Sequence, residues 1–430
     1  MTYVGIDFGT SNIISAVAQN MHSPALIPLE EGKDTLPSAV FFVSKDDQDD
    51  GVPPILYGRA AIKAYLEDGY DGRFMRSPKK VLGTSTFSQS TGIIGKKTSF
   101  RSIIAGFLSH VKDQSQAHCG YDLPHVVLGR PVNFTHDPKM NETAENELRS
   151  CAVEAGFKDI SFQFEPIAAA FAHERHVEGT KLALVADLGG GTSDFTIIEL
   201  SKDYINLQDR SHHVLGNAGI RIGGTNFDES LSMRNFMALL GKGETYKPPM
   251  SMNAIDIPLY LYSKISDWAR AFEAYTPDSI RFAQSTHRYI KSESGREKIE
   301  RLIDVLEYRK AHKILNAVED VKIILTQEED AQKILDFLLG KPEISVHKTE
   351  FEAAITREVD LIEKALNECL KQSSITHDQI ELVILTGGST EIPMVQEMVK
   401  ALFPKAKTSQ GNRLDSVGLG LAIEAARRYQ

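Results

Sequence analysis

The chain has 430 residues, of which 42% are apolar and 25% charged, and its net charge is −10. This length and composition predict a globular protein of about two to four domains. The acidic balance argues against a general surface for nucleic acid or anionic membranes, and three scattered cysteines argue against a disulfide framework or a zinc site. The sequence shows no signal peptide and no apolar run of the roughly 18 to 20 residues that span a membrane. We therefore expect a cytoplasmic protein.

Strand-like and helix-like patterns alternate along the first half and predict mixed α/β layers. The opening strand ends in a glycine turn at residues 9–12. After it, the predicted strands are 13–18, 36–43, 125–128 and 160–164, the helices are 100–113, 141–155 and 167–174, and the loops are 44–51 and 83–99.

The second half repeats the opening order of strand, glycine turn and strand. Its predicted elements are a strand from Lys181, a strand at 195–200, a glycine loop at 219–228, helices at 229–240 and 348–371, a third glycine-ended strand from Val383, and a last helix. Between 241 and 326 apolar residues recur at helical spacing. This spacing predicts a helical subdomain within the chain rather than a partner-binding face.

Three glycine turns organise the chain, each at the end of an apolar strand: 9–12, 189–192 and 387–390. A turn of glycines brings bare backbone N–H groups close to a phosphate, which side chains would obstruct. The first two strands also carry an aspartate, Asp7 and Asp187, and two separated carboxylates suit a hydrated Mg²⁺. Two matching turns so far apart predict a duplicated domain that closes on one nucleotide.

These residues resemble the ATPase domain of the DnaK (70-kDa heat-shock) chaperone family, within the actin and sugar-kinase superfamily, and most closely its shorter, YegD-like members. Five elements recur in order over essentially the whole chain: GIDFGTSN (5–12), GRPVNF (129–134), FEPIAAA (164–170), DLGGGTSDF (187–195) and LTGGSTEIP (385–393). The resemblance implies an α/β, duplicated actin-like (ribonuclease H-like) ATPase fold with two lobes around a central nucleotide cleft. Lobe I would be 1–178 and lobe II 179–430, including a helical subdomain at about 241–326.

The resemblance also implies roles for individual residues. Asp7, Glu165 and Asp187 would surround the metal and its water shell, and Thr192 and Asp194 would lie near the γ-phosphate, where one of them orients the attacking water. The implied phosphate-binding residues are Gly9, Thr10, Ser11, Asn12, Gly189, Gly190, Gly191, Gly223, Gly224 and Thr225. The implied adenosine contacts are Glu319, Lys322, Thr326, Gly387, Gly388, Ser389 and Asp415.

The chain departs from the family pattern in three places. The best register puts Ile62 where the family has a lysine that stabilises the γ-phosphate, so either Lys63 or Lys79 would replace it, and the sequence leaves that choice open. Ile323 stands where an arginine stacks on adenine, which predicts a weaker hold on the base. Nothing after Gly420 resembles the linker or the peptide-binding domain of the chaperones.

We expect from this resemblance a slow, Mg²⁺-dependent ATPase that binds ATP and ADP and works as a conformational switch. A protein partner remains open and unidentified, and neither nucleic acid nor a membrane is expected as a partner. Three other functions stay open: a catalytically weak nucleotide-binding scaffold, a small-molecule kinase of the same superfamily, and an actin-like filament former.

Overall fold

The computed structural model describes residues 2–49, 53–67, 71–93, 95–135, 137–207, 209–248, 251–409 and 415–430. The chain forms two compact units: the first comprises Met1–Gly224 and Asp360–Gln430, and the second is Thr225–Val359. The boundary between lobes that the sequence predicts at residue 178 is a different division, and it stays a prediction.

The elements of the first half of the chain all belong to the first unit. The strands are β1 (Tyr3–Phe8), β2 (Asn12–Ala18), β3 (Pro24–Ile27), β4 (Thr35–Pro37), β5 (Ala39–Val43), β6 (Ile55–Tyr57), β7 (Gly72–Arg76), β8 (Ser90–Ile93), β9 (Lys96–Ser99), β10 (His125–Arg130) and β11 (Asp159–Phe164). The helices are α1 (Lys45–Asp49), α2 (Gly58–Leu66), α3 (Phe100–Cys119), α4 (Pro138–Glu154) and α5 (Glu165–Glu174).

The remaining elements follow in chain order. The strands are β12 (Lys181–Leu188), β13 (Ser193–Leu200), β14 (Val214–Ile220), β15 (Thr245–Tyr246), β16 (Ile255–Asp256), β17 (Asp330–Ile334), β18 (Glu343–His347), β19 (Leu382–Thr386) and β20 (Lys407–Ser409). The helices are α6 (Gly224–Leu231), α7 (Leu259–Ile265), α8 (Pro277–Tyr289), α9 (Glu293–Glu307), α10 (Ala311–Leu325), α11 (Lys348–Ser373), α12 (Pro393–Leu402) and α13 (Ser416–Tyr429).

Two sheets of the first unit repeat one strand order. The first runs β11-β10-β1-β2-β3, with β4 also paired to β2, and the second runs β20-β19-β12-β13-β14. In each sheet a hairpin around a glycine turn lies beside a parallel strand: β1 pairs with β2 and β10, and β12 pairs with β13 and β19. This repetition agrees with the duplication that the glycine turns predict, and it places the first two turns at corresponding ends of the two sheets.

Apolar packing fixes these sheets within the first unit. On the first sheet, Phe8 of β1 packs edge-on against Phe107 of α3 in a fully buried core. Helix α13 packs against β1, β2 and α5, with alanines such as Ala422 and Ala168 completely buried. Small side chains let these elements approach closely, so the start of α5 lies beside the end of β1.

The second unit has a core of its own. The helical spacing predicted for its segment is correct: Ile299 and Leu302 of α9, and Val318 and Val321 of α10, are all buried. They therefore serve packing within the chain, as the sequence predicts. Across the residues described above, no helix combines the length and the apolar character needed to cross a membrane.

The strand predicted at 36–43 is in fact two strands that separate at Ser38. The Ser38 N–H donates to the carbonyl oxygen of Ser11 at 2.9 Å, and its hydroxyl donates to that of Gly9 at 2.8 Å. Because of these bonds Ser38 lies against the first glycine turn and belongs to neither strand. Strands β4 and β5, on either side of it, therefore join different sheets.

Both predicted loops contain regular structure. The loop at 44–51 holds α1, where the Ser44 hydroxyl accepts from the Asp47 N–H, and residues 50 and 51 lie outside the described residues. The loop at 83–99 holds the β8–β9 hairpin, in which the β-branched pair Thr91 and Thr98 lies cross-strand; residue 94 lies outside the described part.

Two helical predictions need correction in their extent. The helix predicted at 229–240 already starts at Gly224 with α6 and continues through a π-helical turn at Ser232–Phe236. The segment 241–326 also contains the β15–β16 hairpin.

Candidate functional site

Four acidic side chains gather in the first unit where its central strands end. Asp7 and Asp187 each lie one residue before the end of their strands, β1 and β12. Asp194 on β13 is the direct cross-strand partner of Asp187. Glu165 is the first residue of α5, and the proline that follows it suits a first helical turn.

Burial and mutual repulsion oppose ionisation of these acids. Burial, and then the charge of Glu165, raise the pKa of Asp7 to about 7 and that of Asp194 to about 7. Burial and the charges of Glu165 and Asp7 also raise the pKa of Asp187 well above its ordinary value. Such shifted carboxyl groups are typical of functional sites.

A buried lysine neutralises part of this charge. The Lys79 Nζ lies 2.8 Å from Oε1 of Glu165, and both side chains are less than a tenth exposed. Burial disfavours the ammonium form, but the carboxylates of Glu165 and Asp7 outweigh it and raise the pKa of Lys79. The structure therefore brings Lys79 to the acidic cluster. It leaves Lys63, the other candidate, exposed on α2, a helix that packs against the β5–β6–β7 sheet and β4.

Asp194 is held from a third segment of the chain. Its Oδ1 accepts the Val132 N–H at 2.7 Å, and the nearby Thr192 side chain acts to lower its pKa, against the effect of burial. Sequence reasoning gave Val132 no role, although the GRPVNF element that contains it was the available signal.

The first and second glycine turns meet at this cluster. A Cβ atom on Gly190 would overlap the side chain of Ser11, and one on Gly191 would lie 2.6 Å from Oγ1 of Thr10. A larger residue at either position would push the turns apart. Asn12 is the last residue of the first turn and the opening residue of β2.

Further glycine segments pack on the second turn. Gly387 adopts a left-handed φ of +82°, and a Cβ atom there would lie 3.0 Å from Oδ1 of Asp187. The Ser389 hydroxyl donates to the carbonyl oxygen of Gly189 at 2.8 Å, and the Gly224 N–H donates to the same oxygen at 3.0 Å. The third turn, which includes Gly388, thus lies directly against the second.

Two other predicted residues lie near this group of turns in the fold of the first unit. A Cβ atom on Gly223 would lie 2.6 Å from the Gly189 carbonyl oxygen. Asp415 is buried immediately before α13, and the neighbouring Ser416 hydroxyl donates to Oγ1 of Thr386, at the end of β19, at 3.4 Å.

The predicted adenosine contacts on α10 belong to the second unit. The Lys322 Nζ lies 2.6 Å from Oδ1 of Asp228, a buried carboxylate that also accepts from the indole N–H of Trp268 at 3.2 Å. Glu319 lies partly exposed one turn before Lys322, and Thr326 follows the end of the helix. Thr225, predicted as a phosphate contact, is buried in α6 of the same unit.

The acidic cluster fits a hydrated divalent cation. Oδ1 of Asp7 and Oδ2 of Asp194 are buried and make no hydrogen bond within the described residues. A cation with its bound waters supplies positive charge and donors to such oxygens. Among those residues no three His, Cys, Asp or Glu side chains stand close enough to hold a metal ion directly. Asp7 and Asp194 thus each offer an acceptor to the bound waters of a divalent cation.

Known proteins resemble this chain over nearly its whole length. A family model described as "Hsp70 protein" matches residues 76–245 and 281–427. The chaperone protein DnaK of Thermosipho melanesiensis is 25% identical over 432 residues, which cover 98% of this chain and 59% of that protein. The DnaK of Thermosipho africanus is 26% identical over 432 residues, which cover 98% of this chain and 58% of that protein. The DnaK of Thermotoga maritima is 25% identical over 434 residues, which cover 98% of this chain and 59% of that protein.

The chain thus spans less than two thirds of the length of these curated relatives. The family model covers well over half of the chain. The matches include the strands that carry Asp187 and Asp194, the Lys79 turn and the third glycine turn. The chain belongs to the Hsp70 family.

Proposed function

We propose that the chain binds Mg²⁺-ATP and hydrolyses it slowly to ADP and phosphate, as an Hsp70-like conformational switch. One observation carries this proposal: a buried Lys79–Glu165 ion pair lies among three aspartates at the point where two glycine turns meet. Membership of the Hsp70 family supports an adenine nucleotide as the ligand.

The glycine turns would hold the phosphates. Where Gly190 and Gly191 meet the first turn, side chains larger than hydrogen do not fit, so the backbone itself forms the surface. Backbone N–H groups in such turns bind anions without a competing side chain. The hydroxyls of Thr10 and Ser11 lie at the same junction and are further donors.

The carboxylates would hold the cation through its waters. Asp7, Asp187 and Glu165 would form this outer shell, and the bound Mg²⁺ would neutralise charge on the phosphates. Because Asp7 and Asp194 each have a buried oxygen that makes no hydrogen bond within the described residues, new donors relieve an existing cost of burial.

The remaining chemistry falls to Lys79, Asp194 and Thr192. Lys79 brings a positive charge into a buried site, where it would stabilise charge on the transferred phosphoryl group. Asp194, fixed by the Val132 N–H at 2.7 Å, is suited to orient a water and accept its proton, because its raised pKa of about 7 lies near the working pH. Thr192 lies beside Asp194 and would favour its charged form.

Single-turnover hydrolysis of Mg²⁺-ATP tests this proposal. We expect purified protein to release phosphate, and Lys79→Ala to lower the rate at least about 100-fold, as for loss of an electrostatic stabiliser. Lys63→Ala is the matched control and should leave the rate within about twofold. Nucleotide binding with no turnover would favour the scaffold instead, and turnover only with a sugar or similar alcohol would favour a kinase.

A further inference from the structure

The residue two before Lys79 has an unusual backbone. Ser77 adopts φ 57° and ψ 46°, in the left-handed region, although it carries a Cβ that makes this region unfavourable. Pro78 follows it directly, and a proline favours an extended conformation at the preceding residue. Such a backbone persists only where its surroundings hold it in place.

Main-chain hydrogen bonds connect this turn to the first glycine turn. The Ser77 N–H donates to the carbonyl oxygen of Ser38 at 2.8 Å. Ser38 itself is bonded to the carbonyl oxygens of Gly9 and Ser11 at 2.8 and 2.9 Å. On the other side, the Lys80 N–H donates to the Ser77 carbonyl oxygen at 3.1 Å. The first glycine turn and the lysine turn are thus joined through two serines.

No hydrogen bond of the Ser77 hydroxyl accounts for a serine in this left-handed conformation. Ser77 is 1% exposed, and its hydroxyl makes no hydrogen bond with any residue that the structure describes. A glycine would adopt this turn without strain but would also leave it easily. The Cβ of Ser77, together with the ring of Pro78, restricts the turn.

We propose that the Ser77–Pro78 turn positions Lys79. The left-handed Ser77 reverses the chain so that the Lys79 ammonium contacts Glu165. Ser38, bonded to both segments, fixes the position of the Lys79 turn relative to the first glycine turn. Ser77 thus affects catalysis only through Lys79. The catalytic part of this inference rests on the proposed function, whereas the placement of Lys79 can be tested without nucleotide.

Amine labelling of the nucleotide-free protein tests the placement. The reactivity of Lys79 towards an acylating reagent is measured by peptide mapping in wild type, Ser77→Gly and Ser77→Ala, with exposed Lys63 as the internal reference. We expect Ser77→Gly to raise Lys79 labelling about tenfold through local opening. Ser77→Ala keeps the Cβ, so Lys79 should stay as protected from labelling as it is in wild type. Equal Lys79 labelling in wild type and Ser77→Gly would overturn the inference.

Ser374→Gly is the matched control. Ser374 also has a φ of 57° but is exposed and lies just after α11. Ser374→Gly relieves the same left-handed strain at a distant site and should leave Lys79 labelling unchanged. If Ser77→Gly fails to fold, Pro78→Ala loosens the same turn and should raise Lys79 labelling in the same direction. Unchanged labelling in that variant would again refute the proposal.

Single-turnover kinetics test the catalytic consequence. Ser77→Gly should lower the hydrolysis rate about tenfold, as misplacement of a catalytic group does, without changing ADP affinity. The same substitution in a Lys79→Ala background should have no further effect. A loss that persists in that background would show that Ser77 does not act through Lys79. Absence of hydrolysis in wild type would refute the proposed function and leave the labelling result standing.

Discussion

Replacing Asp194 by asparagine should stabilise the nucleotide-free protein while it removes activity. The carboxyl group is almost completely buried, and its pKa is raised from 3.8 to about 7. A change of one pKa unit corresponds to about 1.4 kcal/mol, so ionised Asp194 destabilises the fold by up to about 4 kcal/mol above pH 7. Asparagine is nearly isosteric and keeps the oxygen that accepts the Val132 N–H. Because neighbouring acids relax as well, we expect a gain of about 2 kcal/mol.

The stability difference between Asp194→Asn and wild type should grow as the pH rises. The folded-state pKa of Asp194 is higher than its unfolded value, so the folded state binds more protons between about pH 4 and pH 7. The stability of the wild type relative to the variant is therefore greatest below pH 4 and is lost as the pH rises through 7. The advantage of Asp194→Asn should be near zero at low pH and level off above pH 7.

Urea unfolding followed by circular dichroism at several pH values measures this difference. Asp34→Asn, at an exposed position in the first unit, is the control and should change stability by less than about 0.5 kcal/mol. Single-turnover hydrolysis by Asp194→Asn should fall by at least about 100-fold. A variant less stable than wild type at pH 8, or one whose advantage does not vary with pH, would show that the buried charge of Asp194 does not destabilise the fold.

Three further predictions concern the lysine, the glycine turns and the base. Lys79→Ala should lower the free energy of unfolding by about 3 to 5 kcal/mol, because it leaves a buried carboxylate unpaired, whereas equal stability in Lys63→Ala and Lys79→Ala would count against the buried pair. Gly191→Ala should weaken Mg²⁺-ADP binding at least about tenfold in calorimetry, because its Cβ atom would lie 2.6 Å from Oγ1 of Thr10; unchanged affinity would place the phosphates elsewhere. Ile323→Arg, at an exposed position on α10, should tighten ATP binding by about 2- to 30-fold through stacking on the base, and no gain for ATP over GTP would argue against adenine at this helix.

The sequence predicts the acidic cluster and the glycine turns because each is a local pattern. An aspartate near the end of an apolar strand, followed by glycines, indicates a hairpin with a glycine turn. Asp7 and Asp187 therefore lie where the pattern places them, in β1 and β12. Hairpins made from such segments repeat in both sheets, so the repeated strand order also follows from the sequence.

The choice between Lys63 and Lys79 was beyond the sequence because it depends on tertiary structure. Strands β6 and β7 flank β5 in a small sheet, and α2, which carries Lys63, packs against it. Lys79 reaches Glu165 only because Ser77 adopts a left-handed conformation, and serine gives little indication of that backbone. Lys63 is a candidate only through its proximity along the chain to the expected position, and its role stays a prediction.

Non-local pairings explain the other differences. The break at Ser38 arises from hydrogen bonds to Gly9 and Ser11, which are distant in sequence. The ion pair between Lys322 and Asp228 likewise joins α10 to α6. No periodicity within one segment indicates a bond to another.

Calorimetric titration of Mg²⁺-ADP into the purified protein tests whether the two glycine turns form a metal-nucleotide site. We expect binding at one site, weakened at least about tenfold both by removal of Mg²⁺ with a chelator and by Asp187→Asn. Heats that show no association, or an affinity that neither the chelator nor Asp187→Asn alters, would contradict a metal-nucleotide site at the meeting point of the two glycine turns.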